Sequence, residues 1–346
     1  MSKVLTAAAP AFAIERQTRA SRFGAVALVL ALLVMVSMPW WGGRAEMRTL
    51  TEFLYILALA QMWNLLAGYG GLVSVGQQAF IGLGGYALVV FAMKLGLNVF
   101  VSVFLSGLVA AVIAIPTAAV VFRLRGAYFA IGTWVVAEIF RLLIANTVWL
   151  GGGSGLSITS AVKGIPAWWR ESITFWLAIA IGLGAVLLSY LLLRSRHGLA
   201  LTAVRDSEAA SESLGVRVRD MKWFVYVASA FGCGLVGGLI FITKLRISPD
   251  AAFSADWTAI MFFVVVIGGI GTIEGPIVGA LVYFALRGTL QDFGSWYLIV
   301  LGLVAVVLML KMPKGIWGWV AARHDIRFFP VQRRLRLTET GKGGRR

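Results

Sequence analysis

Apolar runs of membrane-spanning length recur along the chain, divided by short polar or charged stretches. They occupy residues 23–41, 50–68, 72–93, 98–122, 127–149, 173–193, 223–243, 257–273, 276–290 and 296–312. A helix needs about 20 mostly apolar residues to cross the hydrocarbon of a bilayer, so each run is a candidate span. Three depart from the simple pattern. Segment 72–93 is rich in glycine and carries Gln77 and Gln78, while 257–273 and 276–290 are short and meet at a glycine-rich turn with Pro276. Irregular backbone at membrane depth is tolerated only against protein or water, so these segments predict broken or re-entrant helices. The fold class that follows is all-α, a polytopic membrane bundle of about 8–10 transmembrane segments.

Composition supports a lipid-facing exterior. Hydrophobic residues make up 60% of the chain and charged residues 13%, against roughly a quarter charged in soluble domains. The net charge of +16 raises the question of nucleic acid. The basic residues, however, lie in loops and tails between the apolar runs, where they set topology, and no nucleic-acid partner is expected. Alternating across ten segments from an inside N-tail places most of the 31 lysines and arginines on one side. Both termini are therefore expected to be cytoplasmic. Arg16, Arg19 and Arg22 precede an apolar run longer than a secretory core and ending in Pro39, Trp40 and Trp41. This reads as a first span rather than a cleaved signal. The expected organisation is a cytoplasmic N-tail (1–22), a transmembrane permease domain (23–312) and a basic cytoplasmic C-tail (313–346). Within that domain lie a charged cytoplasmic loop (194–222) and a glycine-rich periplasmic loop (149–172).

Chemistry is sparse. Cys233 is the only cysteine, and the two histidines, His197 and His324, are far apart. No disulfide framework or protein zinc site is expected. The chain has no G-x-x-x-x-G-K-[ST] phosphate cradle and no nucleophile elbow, so neither cofactor nor catalytic residue is assigned.

Four stretches carry information. In the first, Asn64, Ser74, Gln77 and Gln78 are polar positions among small and apolar residues. They suit either tight helix packing or a broken helix exposing backbone to a zwitterionic ligand. With Thr133 in a later span, they are the candidate lining of a translocation path. In the second, Glu138 and Arg141 sit three apart inside an apolar run, as a structural ion pair or as pathway residues. In the third, residues 199–214 favour a helix stopped by Gly215, with Leu199, Ala203, Ala210 and Leu214 on one face. Arg205, Asp206 and Glu208 are left for charged contacts with a soluble partner. In the fourth, Gly271, Gly275 and Gly279 space small residues on one helical face, and Glu274 is expected to be solvated. The C-tail mixes arginines with Phe328, Phe329, Leu335 and Leu337, as a headgroup-binding or an unstructured segment.

Together these runs resemble the LivM-type permeases, membrane subunits of bacterial branched-chain amino acid ABC transporters. The stretches that carry the likeness are NLLAGYGGLVSVGQQAFIGLGGYA, RGAYFAIGTWVVAEIFRLL, DSEAASESLGVRVRDMKWFVYVASAFGCGLVGGL, VVVIGGIGTIEGPIVGA and KMPKGIWG. They appear in family order over about residues 50–318. The resemblance implies that Glu208, Ala210 and Gly215 belong to the loop that contacts the ATPase, with Ser211 standing where the family has a second alanine. It also implies two ATPase subunits, a second homologous permease, a periplasmic substrate-binding protein, and a place in the bacterial inner membrane. The implied substrate is a branched-chain or related hydrophobic amino acid. Urea, short amides or aromatic acids carried by the same architecture, and a stand-alone secondary transporter, are the alternatives.

Overall fold

The computed structural model describes residues 12–15, 19–290, 296–324, 328–329 and 334–337. A short strand, β1 (Phe12–Glu15), precedes helices α1 (Arg19–Trp41), α2 (Arg44–Asn64), α3 (Gln78–Val89), α4 (Val99–Val121) and α5 (Ala127–Ala145). Strand β2 (Leu156–Ser157) follows, then α6 (Ala167–Arg194), α7 (Arg196–Asp206), α8 (Glu208–Ser213) and α9 (Val218–Lys244). After strand β3 (Arg246–Ile247) come α10 (Pro249–Ala252), α11 (Ala255–Gly268), α12 (Glu274–Leu290), α13 (Trp296–Lys311), α14 (Gly315–His324) and strand β4 (Arg334–Leu337). The protein is a polytopic helical bundle, and 7 helical stretches among the described residues are long and apolar enough to cross a membrane. Val26–Trp41 and Gln78–Lys94 are shorter apolar helices.

The bundle is built around α2, α3 and α9. Thirteen residues of α2, from Met47 to Asn64, are buried, as is every residue of α3. By contrast, α5 leaves Ile131, Trp134, Val135, Ile139 and Leu142 exposed. In water such a face would be costly, whereas a bilayer solvates it. The core is thus protein-packed and the rim apolar, as the composition requires.

Side-chain contacts sort the helix ends into two groups. At one end Trp168 Nε1 donates to Pro39 O at 3.2 Å, Arg287 pairs with Glu52 at 2.9 Å, and β2 pairs antiparallel with β3. At the other end Asn64 meets Gly271 and Thr272, Arg205 meets Gly68, and Glu274 meets Phe328 and Phe329. Successive long helices run from one group to the other, and β1 pairs with β4, so the two tails meet.

Three expectations need correction. The stretch 199–214 forms two helices, not one. Ser207 is extended (φ −161°, ψ 112°) and its Oγ caps α8 by accepting from Ala210 N. Serine competes for backbone groups in just this way, favouring caps over helix interiors. The face toward the bundle is Gly198, Leu201 and Val204, while Leu199 is 70% and Leu214 81% exposed. Gly271 does not share a helical face with Gly275 and Gly279. It lies in the turn before α12 with φ +74°, and only the latter two seat α12 against the backbone of α11. Finally, Glu274 is 8% exposed rather than solvated. Its Oε1 accepts the N–H groups of Phe328 at 3.1 Å and Phe329 at 2.9 Å, which replace the water a buried carboxylate would otherwise need.

Candidate functional site

The long helix α2 does not pass cleanly into the next. Leu65–Tyr69 is a π-helical turn, and Gly71 takes φ +69°. Leu72 N then bonds back to Leu66 O at 3.1 Å. A wide turn closed by a left-handed glycine ends a helix without stranding its last carbonyls. Residues 72–77 run without regular structure before α3 begins at Gln78. The glycine-rich segment 72–93 is therefore a broken element that is helical only from Gln78 onward.

Side chains from four other segments hold this break in place. Trp63 Nε1 donates to Ser74 O at 2.9 Å. Val75 N donates to Thr133 Oγ1 at 3.1 Å, whose own proton goes to Ala130 O at 2.8 Å. Ser74 Oγ accepts Gly76 N at 3.2 Å. Thr258 Oγ1 donates to Gln78 Oε1, and Cys233 Sγ lies 3.6 Å from Gln77 Oε1. Ser74, Gln77, Gln78, Thr133 and Thr258 are all buried. Two polar atoms buried here, Gln77 Nε2 and Gln61 Oε1, have no hydrogen-bond partner in the structure. A buried amide without a partner is costly, and such groups commonly mark functional sites or hydration.

Asn64 stands one turn before the break. Its Oδ1 accepts Gly271 N at 2.8 Å and its Nδ2 donates to Thr272 O at 2.8 Å. Gln61 Nε2 adds a bond to Ile273 O at 2.7 Å. The two interrupted regions, 71–77 and 269–273, are thus fastened to each other through α2. Asn64 is a clasp between turns, whereas Ser74, Gln77, Gln78 and Thr133 gather at the break itself.

Beyond this lies the polar surface formed by α7 and α8. Arg205 does not point outward with its neighbours: Nη1 donates to Gly68 O at 3.0 Å, and its side chain also pairs with Asp206 at 2.9 Å. Glu208 reaches Lys222 at 2.5 Å while keeping 57% of its side chain exposed. Ala210 and Gly215 are exposed, and Gly215 ends α8 with φ +81°. A cavity of about 430 Å³ opens between α7, Gly271–Glu274, Trp317 and Phe329.

Glu138 and Arg141 pair as their spacing predicts, at 2.5 Å. The structure adds Asp250 of α10, 2.6 Å from Arg141 Nη1, so the pair is part of a triad linking α5 to α10. It stands apart from the break. Trp63, Gln61, Thr258 and Asp250 were missing from the sequence-based assignment. Thr258 lies 180 positions from Gln78, and no helical periodicity connects them.

Residues 46–310 match the family described as branched-chain amino acid transport system / permease component. The high-affinity branched-chain amino acid transport system permease protein LivM of Escherichia coli (strain K12) is 28% identical over 316 residues, covering 84% of this chain and 74% of that protein. A probable branched-chain amino acid transport permease protein LivM of Methanocaldococcus jannaschii is 25% identical over 191 residues, 54% of this chain and 53% of that one. The ribose import permease protein RbsC of Haemophilus influenzae is 31% identical over 160 residues, covering 44% and 46%. No solved structure matches the chain.

Proposed function

The chain belongs to the family of permease components of the branched-chain amino acid transport system, and from that premise we propose that it is the inner-membrane subunit of an ATP-driven importer of branched-chain or related hydrophobic amino acids. In this reading two separate ATPase subunits hydrolyse ATP beneath the bundle. A periplasmic binding protein delivers substrate from above, and a second, homologous permease completes the pore. Both tails and the loop 194–222 face the cytoplasm, and the loop 149–172 faces the periplasm.

The observation that carries this reading is a pair of features linked through the bond from Arg205 to Gly68. A break between α2 and α3 is lined by buried amides and hydroxyls, and α8 presents exposed Glu208, Ala210 and Leu214 at the surface. The break has the chemistry of a path for a zwitterion: hydrogen-bonding groups, no fixed charge among Ser74, Gln77, Gln78 and Thr133, and a mostly apolar frame. The surface helix has the chemistry of a docking site, with charge at its rim and small residues that allow close approach. When the ATPases close, α7 and α8 shift, and the break passes the substrate inward.

The test is uptake of tritiated leucine by the complete complex in liposomes, with leucine-loaded binding protein outside and ATP inside. The variant carrying both Glu208→Arg and Gly215→Pro reverses a docking charge and replaces the left-handed glycine that ends α8. It should insert normally and lose uptake. Uptake at the unmodified rate in that variant removes the docking role assigned to α8. Competition by urea, short amides and aromatic acids, set beside leucine, separates the substrate classes.

A further inference from the structure

Arg205 occupies a position that a surface-docking role does not explain. It lies on α7, beside the surface assigned to the ATPase, and with 37% of its side chain exposed it still sends one edge of its guanidinium to the bundle. Nη1 donates to Gly68 O, in the π-turn at the end of α2. The stem lies against Gly71: a side chain there would meet Arg205 Cγ at 3.3 Å. On the other side, a side chain at Gly271 would meet Arg205 Nη1 at 3.3 Å. Both glycines have positive φ, +69° and +74°, so each turns its backbone tightly around the arginine. The paired carboxylate of Asp206, 2.9 Å from both Nε and Nη2, fixes the plane of the guanidinium. A planar fork held on one edge and donating on the other is a stiff connector, which a lysine is not.

The contacts continue on the far side. Gly68 lies one turn after Asn64, which clasps Gly271 and Thr272. One arginine of the surface loop therefore touches both interrupted regions, 71–77 and 269–273, where they are fastened together. The buried residues of α7, Gly198, Leu201 and Val204, offer no directional side-chain bond. We propose that Arg205 is the positioning residue through which movement of α7 reaches the broken segment at 71–77. In this role it contacts the core, not the ATPase, and Glu208 and its neighbours take the force in. The proposal rests on the importer reading above and names the link that reading lacks.

A residue that only stabilises the fold lowers ATP hydrolysis and uptake together. A transmitting residue changes their ratio. The complete complex in liposomes is therefore assayed for ATP hydrolysis and tritiated leucine uptake in parallel. Arg205→Ala should keep hydrolysing ATP, while leucine carried per ATP falls about tenfold, the size of an ordinary coupling energy. Arg205→Lys should recover part of that ratio, because an ammonium reaches one acceptor without the fork. A second arm places a thiol in the break through Ser74→Cys, at a buried position, with the rate of its modification by a small methanethiosulfonate reagent as the readout. ATP should change that rate when Arg205 is intact and leave it unchanged with Arg205→Ala. Two results overturn the proposal: an unaltered ratio in Arg205→Ala, whether or not both activities fall, or an ATP response of the introduced thiol that survives the loss of the arginine. A wild-type complex that hydrolyses ATP but takes up no leucine would instead sink the amino-acid reading, and the thiol-modification arm would then decide the role of Arg205 alone.

Discussion

Both ends of the Asn64 amide are engaged by the turn between α11 and α12, and the side chain is fully buried. Asn64→Leu keeps the approximate volume and removes both bonds. It also leaves Gly271 N–H and Thr272 C=O to find new partners in a site where water is scarce. Each orphaned group costs about 1–3 kcal/mol, so the detergent-purified protein should melt several degrees lower. An unchanged melting temperature would mean that the clasp contributes nothing. Thr133 makes a narrower claim. Its hydroxyl accepts Val75 N–H while donating to its own helix at Ala130 O, so Thr133→Val removes one bond to the break and preserves shape. The expected loss is about 1 kcal/mol of stability with a larger proportional loss of leucine uptake, since the bond fixes the candidate path. Stability and uptake falling in step would place Thr133 with the packing residues instead.

Ser207 decides the shape of the surface loop. Its Oγ receives Ala210 N–H at 3.3 Å, and replacing it with alanine removes the cap of a helix only 6 residues long. An N-cap is worth about 1 kcal/mol, enough to fray so short a helix. Hydrogen exchange over 208–213 in Ser207→Ala should rise well above that over α7, and equal protection in both proteins would deny the cap its role. The same element shows what the sequence could reveal. Each apolar run predicted a helix, because length and hydropathy are properties of the run alone. The break at 72–77 was legible from glycines and buried-type polar residues lying close together in sequence. The kink at Ser207 was not, because alanine and leucine at spacings of three and four continue a helical pattern across it. The contact face of α7 was missed for the same reason: Leu199 and Leu201 are equally apolar, and only packing against the bundle separates them. Glu274 read as solvated because its partners, Phe328 and Phe329, lie 54 and 55 positions away. Thr258 and Asp250 joined their groups through tertiary contacts that leave no local spacing to read.

At the scale of the whole molecule, a single buried cysteine turns the orientation into a clean measurement. Cys233 is fully enclosed in α9, so an impermeant maleimide finds little background in the intact membrane. Leu214, at the end of α8, is 81% exposed, and Lys163, between β2 and α6, is exposed as well. If the loop 194–222 is cytoplasmic, Lys163→Cys is labelled in intact spheroplasts and Leu214→Cys only after lysis. Two features support that orientation. Basic residues concentrate on the side that holds α7 and α8. The pairing of β1 with β4 brings the two tails together, as two termini on one side of the membrane require. The opposite labelling pattern would place the docking helix in the periplasm, where no ATPase reaches it. It would also strip Arg205 of any driven neighbour, so this one measurement bears on every link from the surface helix to the break.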